Sequence, residues 1–205
     1  MMMTQKFHEP FSPAILETTV SDRFVNIVNT VADDVLSSDE KSKKWDWSHK
    51  LVGKVTKEIQ IPVTDPSDRE FLFKTMKQGC LDYLNYHIDI KRNNPWNRLG
   101  TGTSPTLANI HLTQSWVVSQ YAGDFNPFHH HNGDFSAGVY LKVPEGMNDE
   151  WEEDFQDHYP AKGLIEYSFG ENKSFRSDNI KFKPEVGTFL VFPSMLKHLV
   201  YTFSV

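Results

Sequence analysis

The chain has 205 residues, which is enough for one domain with a sizeable hydrophobic core. Its formal net charge of -6, from 21 basic and 27 acidic residues, argues against nucleic acid as a partner. The single cysteine, Cys80, excludes an intrachain disulfide and favours a reducing compartment, so we expect a cytoplasmic protein. No segment approaches the roughly 20 apolar residues of a membrane span, so we expect no membrane partner.

Two amphipathic helices are predicted in the first half of the chain. The first begins at Ser21 or Asp22 and runs to about Leu36, with apolar residues at helical spacing. The second runs from about residue 67 to residue 86, and its apolar stripe consists of Phe73, Met76, Cys80 and Leu84. Cys80 is therefore interpreted as a small core residue and not as a nucleophile.

The second half has the pattern of an antiparallel β-structure. Short apolar segments, separated by turn signals such as Asn132-Gly133, predict strands within residues 107–112, 115–122, 135–143, 164–169, 188–192 and 199–205. Many short strands of this kind are typical of a sandwich or a barrel. We therefore expect one mainly-β domain over residues 1–205, in which residues 1–105 form a helical support region and residues 106–205 form the β core.

One segment interrupts this series of strands. Residues 147–160 carry six acids and no base, which is typical of a solvated loop. The segment falls between two predicted strands and close to a histidine cluster, where a lid over a pocket would also lie.

That cluster is FNPFHHHNGDFSAGVYL, which holds three of the nine histidines of the chain. On an extended chain His129 and His131 share a face and His130 points the opposite way. An H-x-H pair can hold a transition metal if a third ligand is supplied, and the candidates are Asp134 and the distal His198. The alternative is a solvent-facing turn that happens to be rich in histidine. Imidazole with carboxylate suits non-haem iron(II), and three imidazoles also suit zinc.

Two blocks of sequence, FNPFHHHNGDFSAGVYLKVP and PEVGTFLVFPSMLKHLVY, resemble the 2-oxoglutarate/iron(II)-dependent oxygenase superfamily. The resemblance covers residues 114–204, and it is strongest to a branch found in phage and marine bacterial genomes. It implies a double-stranded β-helix, or jelly-roll, with Fe(II) and the small-molecule cosubstrate 2-oxoglutarate. The implied activity is hydroxylation of an unknown substrate, in the host cytoplasm if the protein comes from a phage.

The resemblance also implies a set of metal ligands. The His-x-Asp/Glu motif of the superfamily lands on His129 and His131, and the distal ligand lands on His198. Because His131 stands where the superfamily has a carboxylate, either three imidazoles hold the ion or Asp134 supplies the missing carboxylate.

Members of the superfamily also hold the far carboxylate of 2-oxoglutarate with an arginine that follows the distal histidine. This chain ends at Val205, seven residues after His198, with no arginine in between. We expect a C-terminally truncated chain, with Tyr140 and Lys142 as the alternative cosubstrate-binding residues. A chain without that arginine could instead be a metal-binding jelly-roll without oxygenase activity, either structural and virion-associated or cupin-like.

Overall fold

The computed structural model describes residues 5–8, 13–50, 53–89, 104–153, 161–171 and 177–205. Within these residues the chain forms four α-helices, with the bounds α1 (Asp22–Leu36), α2 (Asp39–Lys44), α3 (Pro66–Asp89) and α4 (Met147–Glu153). The strands of the same residues are β1 (Lys6–His8), β2 (Ile15–Thr19), β3 (Lys57–Ile59), β4 (Val117–Ser119), β5 (Asn126–His129), β6 (Phe135–Val139), β7 (Ile165–Ser168), β8 (Asn179–Phe182), β9 (Thr188–Pro193) and β10 (Lys197–Val200). No helix of the described residues has the length and apolar character needed to cross a membrane.

The described strands form three sheets, and every strand pair is antiparallel. The helix-backed sheet has the order β1-β2-β9-β6, and the histidine-bearing sheet has the order β5-β10-β7-β8. Strands β3 and β4 form a separate two-stranded sheet, which we call the small sheet. The chain is therefore mainly β with few helices, as predicted, and its antiparallel sheets are consistent with a β-sandwich.

Strand β9 lies in the middle of the core because both of its faces are buried. On one face Phe189 and Val191 join the core cluster that includes residues of α1 and α3. On the other face Leu190 and Phe192 pack with Tyr167 of the histidine-bearing sheet. A strand covered on both faces needs a continuous apolar run, and TFLVF supplies one.

Helices α1 and α3 cover the outer face of the helix-backed sheet, as the amphipathic patterns predicted. The observed bounds, Asp22–Leu36 and Pro66–Asp89, agree closely with the predicted ones. Gly79 sets the approach of α3, because a Cβ atom at this position would lie 2.5 Å from Cε1 of Phe189. Cys80 is partly buried on the same helix, and burial raises the pKa of its thiol to about 11, which fits the predicted core role.

The structure corrects two details of the first 112 residues. Phe73 was predicted on the buried stripe of α3, but its side chain is 41% exposed, whereas the preceding Leu72 is buried. Residues 107–112 were predicted as a strand, but residues 107–109 form a single 3₁₀ turn. The 3₁₀ turn forms in place of the predicted strand because Thr106 and Asn109 form a reciprocal capping box across it.

The acidic segment also differs from its prediction where it is described. Met147–Glu153 is helical, and Met147 and Trp151 pack with Leu164 and Phe203. Glu150 is buried because its carboxylate accepts hydrogen bonds from the backbone N–H groups of residues 204 and 205, at 2.7 and 3.2 Å. This part is an anchored helix and not a solvated loop, and residues 154–160 lie outside the described residues.

Candidate metal centre

Pairing between β5 and β10 brings together histidines that are far apart in the sequence. His129 and His198 are direct cross-strand neighbours, and their ring centroids are 4.2 Å apart. The ring of His131 lies 5.0 Å from each of the other two. Each of the three residues offers a nitrogen that lies within 4.8 Å of the nitrogens offered by the others. Three nitrogens at this spacing can converge on one ion.

Backbone carbonyls hold two of the three rings in one tautomer. Nδ1 of His129 lies 2.8 Å from the carbonyl oxygen of Pro127, and Nδ1 of His198 lies 2.9 Å from that of Leu196. A carbonyl oxygen only accepts, so both Nδ1 atoms carry the proton and donate it. The lone pairs are therefore on the Nε2 atoms, which is the arrangement found in most metal-bound histidines.

Burial keeps the rings of His131 and His198 neutral. Burial lowers the pKa of His198 to about 3, with the hydrogen bond to Leu196 opposing this shift and the neighbouring histidines adding to it. Burial, with smaller contributions from His129 and His130, lowers the pKa of His131 to about 4. Neutral imidazole is the form that binds metals, so these two rings are ready to bind at neutral pH.

These pKa values predict a pH-dependent stability of the metal-free protein. In the unfolded chain both imidazoles take up protons near pH 6.5, whereas in the folded chain they resist protonation down to about pH 4 or below. The unfolded state then binds more protons, so the free energy of unfolding should fall as the pH drops from 6.5 to 4. Urea unfolding across this window measures the effect, and His198→Gln should flatten the profile relative to the unchanged chain. An equally steep profile in that variant would contradict the prediction.

The structure does not bring the other two sequence candidates into the cluster. The side chain of His130 is exposed, as expected for a residue on the opposite face of an extended chain. The side chain of Asp134 is also exposed, and among the described residues the metal-type group consists of the three histidines without it. The turn after His131 carries Asp134 away from the rings.

Ser194 fixes that turn against the helix-backed sheet. It is buried, its hydroxyl donates to the carbonyl of Gly133, and its N–H donates to the carbonyl of Asp134. Its own carbonyl accepts the N–H of His131 at 2.9 Å. Gly133 has a φ of +96°, a conformation that favours glycine, so the Asn-Gly signal in the sequence has a structural reason.

Two tyrosines, Tyr167, which is buried, and Tyr140, which is half-buried, lie on the faces of the two sheets that look toward each other. The ring of Tyr167 is 5.5 Å from that of His198, and its hydroxyl is buried without a hydrogen-bond partner among the described residues. Tyr140 follows β6 on the face opposite the helix-side residues Ala137 and Val139. Burial raises the pKa of Tyr140, and burial together with Tyr140 raises that of Tyr167, so both phenols stay protonated.

Open space lies on the same face of β6. Gly138 is exposed, and no heavy atom would lie within 4 Å of a Cβ atom at this position. Asn126, on the strand of His129, has a buried Oδ1 atom that lacks a hydrogen-bond partner among the described residues. Buried polar atoms without partners are uncommon in proteins and indicate a place for a bound group or water.

Lys142 lies elsewhere. Its ammonium group is 2.6 Å from the carboxylate of Asp33 on α1, and its side chain is 61% exposed. Leu141 packs on the helix side with Ala137 and Val139, but the long side chain of Lys142 reaches back to α1. Of the two cosubstrate-binding candidates, Lys142 is thus already paired with an acid, and the role of Tyr140 stays a prediction.

A tryptophan and an acid, neither identified from the sequence, adjoin the cluster on its other side. The ring of Trp116 lies 5.7 Å from that of His131. Its indole N–H donates to the carboxylate of Glu58, which is buried on β3. Burial raises the pKa of Glu58 to about 7; the Trp116 hydrogen bond opposes this shift, and Asp46 adds to it.

The described geometry defines a mainly-β protein with a three-histidine cluster suited to a transition metal. The family described as "Putative 2OG-Fe(II) oxygenase" matches residues 114–205, which include all three histidines. The match confirms the predicted resemblance of this part of the chain to 2-oxoglutarate/iron(II)-dependent oxygenases, and the proposed phage and marine branch stays a prediction. A comparison with curated proteins gave no match.

Proposed function

We propose that the protein is an iron(II)- and 2-oxoglutarate-dependent oxygenase that hydroxylates a C–H bond of its substrate. The observation that carries the proposal is the three-histidine cluster, with two lone pairs fixed on Nε2, inside the residues that match the family. The two four-stranded sheets are proposed to be the two faces of a jelly-roll within a single domain of residues 1–205. Fe(II) would be held by His129, His131 and His198.

The donor set fits iron(II). Imidazole nitrogen is a good ligand for Fe(II), and three ligands leave positions open for a chelating cosubstrate. Zinc accepts the same donors, so the family match, and not the geometry alone, favours iron. Because the cluster contains no carboxylate, a divalent ion would keep both positive charges until an anion binds.

That charge favours 2-oxoglutarate as the second ligand. A dianion exactly balances a divalent cation held by neutral imidazoles, whereas a protein carboxylate would leave the complex with a net negative charge. The far carboxylate of the cosubstrate needs donors, because burying an unpaired carboxylate is costly. We propose that the protonated phenols of Tyr140 and Tyr167 are those donors, since the Tyr167 hydroxyl lacks a partner among the described residues.

The side chains around the cluster supply the apolar surroundings and the space that the reaction needs. When bound, iron(II) with 2-oxoglutarate and dioxygen would supply the oxidising chemistry that converts C–H to C–OH: one oxygen atom of dioxygen goes to the hydroxyl and the other to succinate, and CO₂ is released. Phe192 and Trp116 line the cluster with apolar surface and limit access of water. The ring of Phe192 is 5.0 Å from that of His198, and the ring of Trp116 is 5.7 Å from that of His131. The open face at Gly138 leaves room for a cosubstrate between the sheets.

The test is an anaerobic titration of 2-oxoglutarate into the iron-loaded chain, which should produce a weak metal-to-ligand absorption band. Tyr167→Phe should weaken cosubstrate binding roughly tenfold or more, because it removes a hydrogen bond to a charged group. Tyr121→Phe, on an exposed residue, is the matched control and should leave the titration unchanged.

Two outcomes would count against this proposal. A chain that binds iron but shows neither the absorption band nor 2-oxoglutarate-dependent succinate formation would be a metal protein of another kind. If the band develops equally in the unchanged chain and in Tyr167→Phe, residues other than Tyr167 donate hydrogen bonds to the cosubstrate.

A further inference from the structure

A second candidate site lies on the small sheet, outside the histidine cluster. It is a pocket of about 400 Å³, a size that accommodates a small molecule. None of the lining side chains that belong to the described residues is charged. Its walls combine aromatic rings with uncharged hydrogen-bonding groups, which include Trp45, Trp47, Phe73, Gln60, Thr113 and Gln114.

The two tryptophans are held on one face by backbone pairing to β3. The N–H of Trp47 donates to the carbonyl of Glu58, and the N–H of Gln60 donates to the carbonyl of Trp45, at 2.9 and 2.8 Å. Asp46, between the tryptophans, forms a β-bridge with Ile59. These hydrogen bonds hold the backbone of both tryptophans against β3, and both side chains line the pocket, where they provide two aromatic surfaces for stacking.

Phe73 adds a third aromatic wall from α3. This is the residue that the helical pattern predicted to be buried, yet its side chain is 41% exposed. An exposed phenylalanine by itself needs no explanation. Here it lines the same pocket as two tryptophans and two glutamines, an arrangement typical of ligand sites and not of core packing.

The pocket adjoins the candidate metal centre. Ser115 lines the pocket, and the next residue, Trp116, has its ring 5.7 Å from the ring of His131. The hydrogen bond from Trp116 to Glu58 ties this ring to the small sheet. Consecutive residues, Ser115 and Trp116, thus connect the lining of the pocket to the histidine cluster.

We propose that this pocket binds a neutral polyhydroxylated ring, that is, an uncharged saccharide unit. A sugar ring has an apolar C–H face that stacks on an indole, and its hydroxyls can pair with the side chains of Gln60, Gln114 and Thr113. Phosphorylated or acidic ligands fit less well, because the lining that the structure describes offers no cation. The ammonium of Lys44 lies 5.3 Å from the Trp45 ring, but Lys44 is not among the lining residues.

The pocket would hold the substrate of the metal centre, and this second part of the inference rests on the proposed function. The binding itself does not, because none of the lining residues belongs to the histidine cluster. The metal-free chain is therefore the right protein for the first experiment, and the iron-loaded chain is the right one for the second.

The first experiment titrates neutral disaccharides (maltose, cellobiose, lactose and N,N′-diacetylchitobiose) into the metal-free 205-residue chain. Tryptophan fluorescence and saturation-transfer NMR are the readouts. We expect at least one of the sugars to bind and Trp47→Ala to weaken that binding about tenfold or more, since a stacked aromatic and its buried area are lost. Gln114→Ala, on an exposed residue that should not affect folding, should also weaken it, and Tyr121→Ala should not.

The proposal is overturned if none of the sugars binds, or if binding survives both Trp47→Ala and Gln114→Ala. Binding of adenosine in place of the sugars would overturn the ligand class, because a flat uncharged base would then be the preferred partner. In the second experiment the bound sugar should increase succinate formation by the iron-loaded chain. Sugar binding without any cosubstrate absorption band would refute the proposed function and leave the pocket standing.

Discussion

His198→Ala and His129→Ala should each lower the affinity for Fe(II) or Co(II) by more than about a hundredfold. Loss of an outer-shell partner of a metal ligand typically costs ten- to a hundredfold, and these variants remove a ligand itself. His198 and His129 face each other across the β5–β10 pair, so no described side chain is placed to replace either. Titration with Co(II), followed by its visible absorption and by calorimetry, measures the change.

The neighbouring residues provide the controls. His130→Ala should leave the metal affinity within a factor of about three, because the exposed imidazole points away from the cluster. His131→Ala should cost more affinity than Asp134→Ala. If Asp134→Ala proves the worse of the two, a carboxylate completes the site and the three-imidazole assignment is incorrect. Unchanged affinity in both His129→Ala and His198→Ala would remove the metal centre altogether.

Gly79→Val should destabilise the fold by about 1–3 kcal/mol, the usual cost of overpacking a core. The new side chain would begin 2.5 Å from the buried ring of Phe189, and Val191 lies 3.2 Å from the same point. Helix α3 could accommodate it only by moving away from the sheet. Urea unfolding followed by circular dichroism measures the loss, and the slope of the transition tests whether the native state remains compact.

The same substitution at Gly138 is the matched control. That glycine faces open space, and valine is well suited to a strand, so Gly138→Val should change the free energy of unfolding little. A Gly79→Val variant as stable as the unchanged chain would mean that α3 does not pack on β9 through its glycine.

The sequence predicted the elements whose patterns are regular over several turns or along a whole strand. Helix α1 was found from an apolar face that repeats over its 15 residues, and the buried strand β9 from an uninterrupted apolar run. The histidine cluster was predicted in the same way, because alternation on an extended chain put His129 and His131 on one face. His198 could be added because the two sequence blocks resembled a known superfamily.

The features that were missed depend on contacts between distant segments. The strand of Tyr167 would be predicted equally well with phenylalanine at this position. Only the packed sheets show that its ring lies near His198 and that its hydroxyl is buried without a hydrogen-bond partner among the described residues. Glu58 is an ordinary acid in the sequence and becomes buried only when β3 pairs with β4. Helix α4 was predicted to be a solvated loop because of its many acids, although its residue Trp151 is buried. Alternation along each strand could have indicated which residues face the core, but not which residue of the other sheet each of them contacts.

The two backbone carbonyls that hold the imidazoles of His129 and His198 also determine what metal binding requires of the protein. Because His131 and His198 are already neutral well below pH 7, a cation arriving at neutral pH displaces no proton from either ring. The rings of His129 and His198 are also already oriented, so little conformational entropy is lost at these residues when the ion binds. At His131 and His198 the affinity for a cation is therefore set by coordination and desolvation and not by competition with protons.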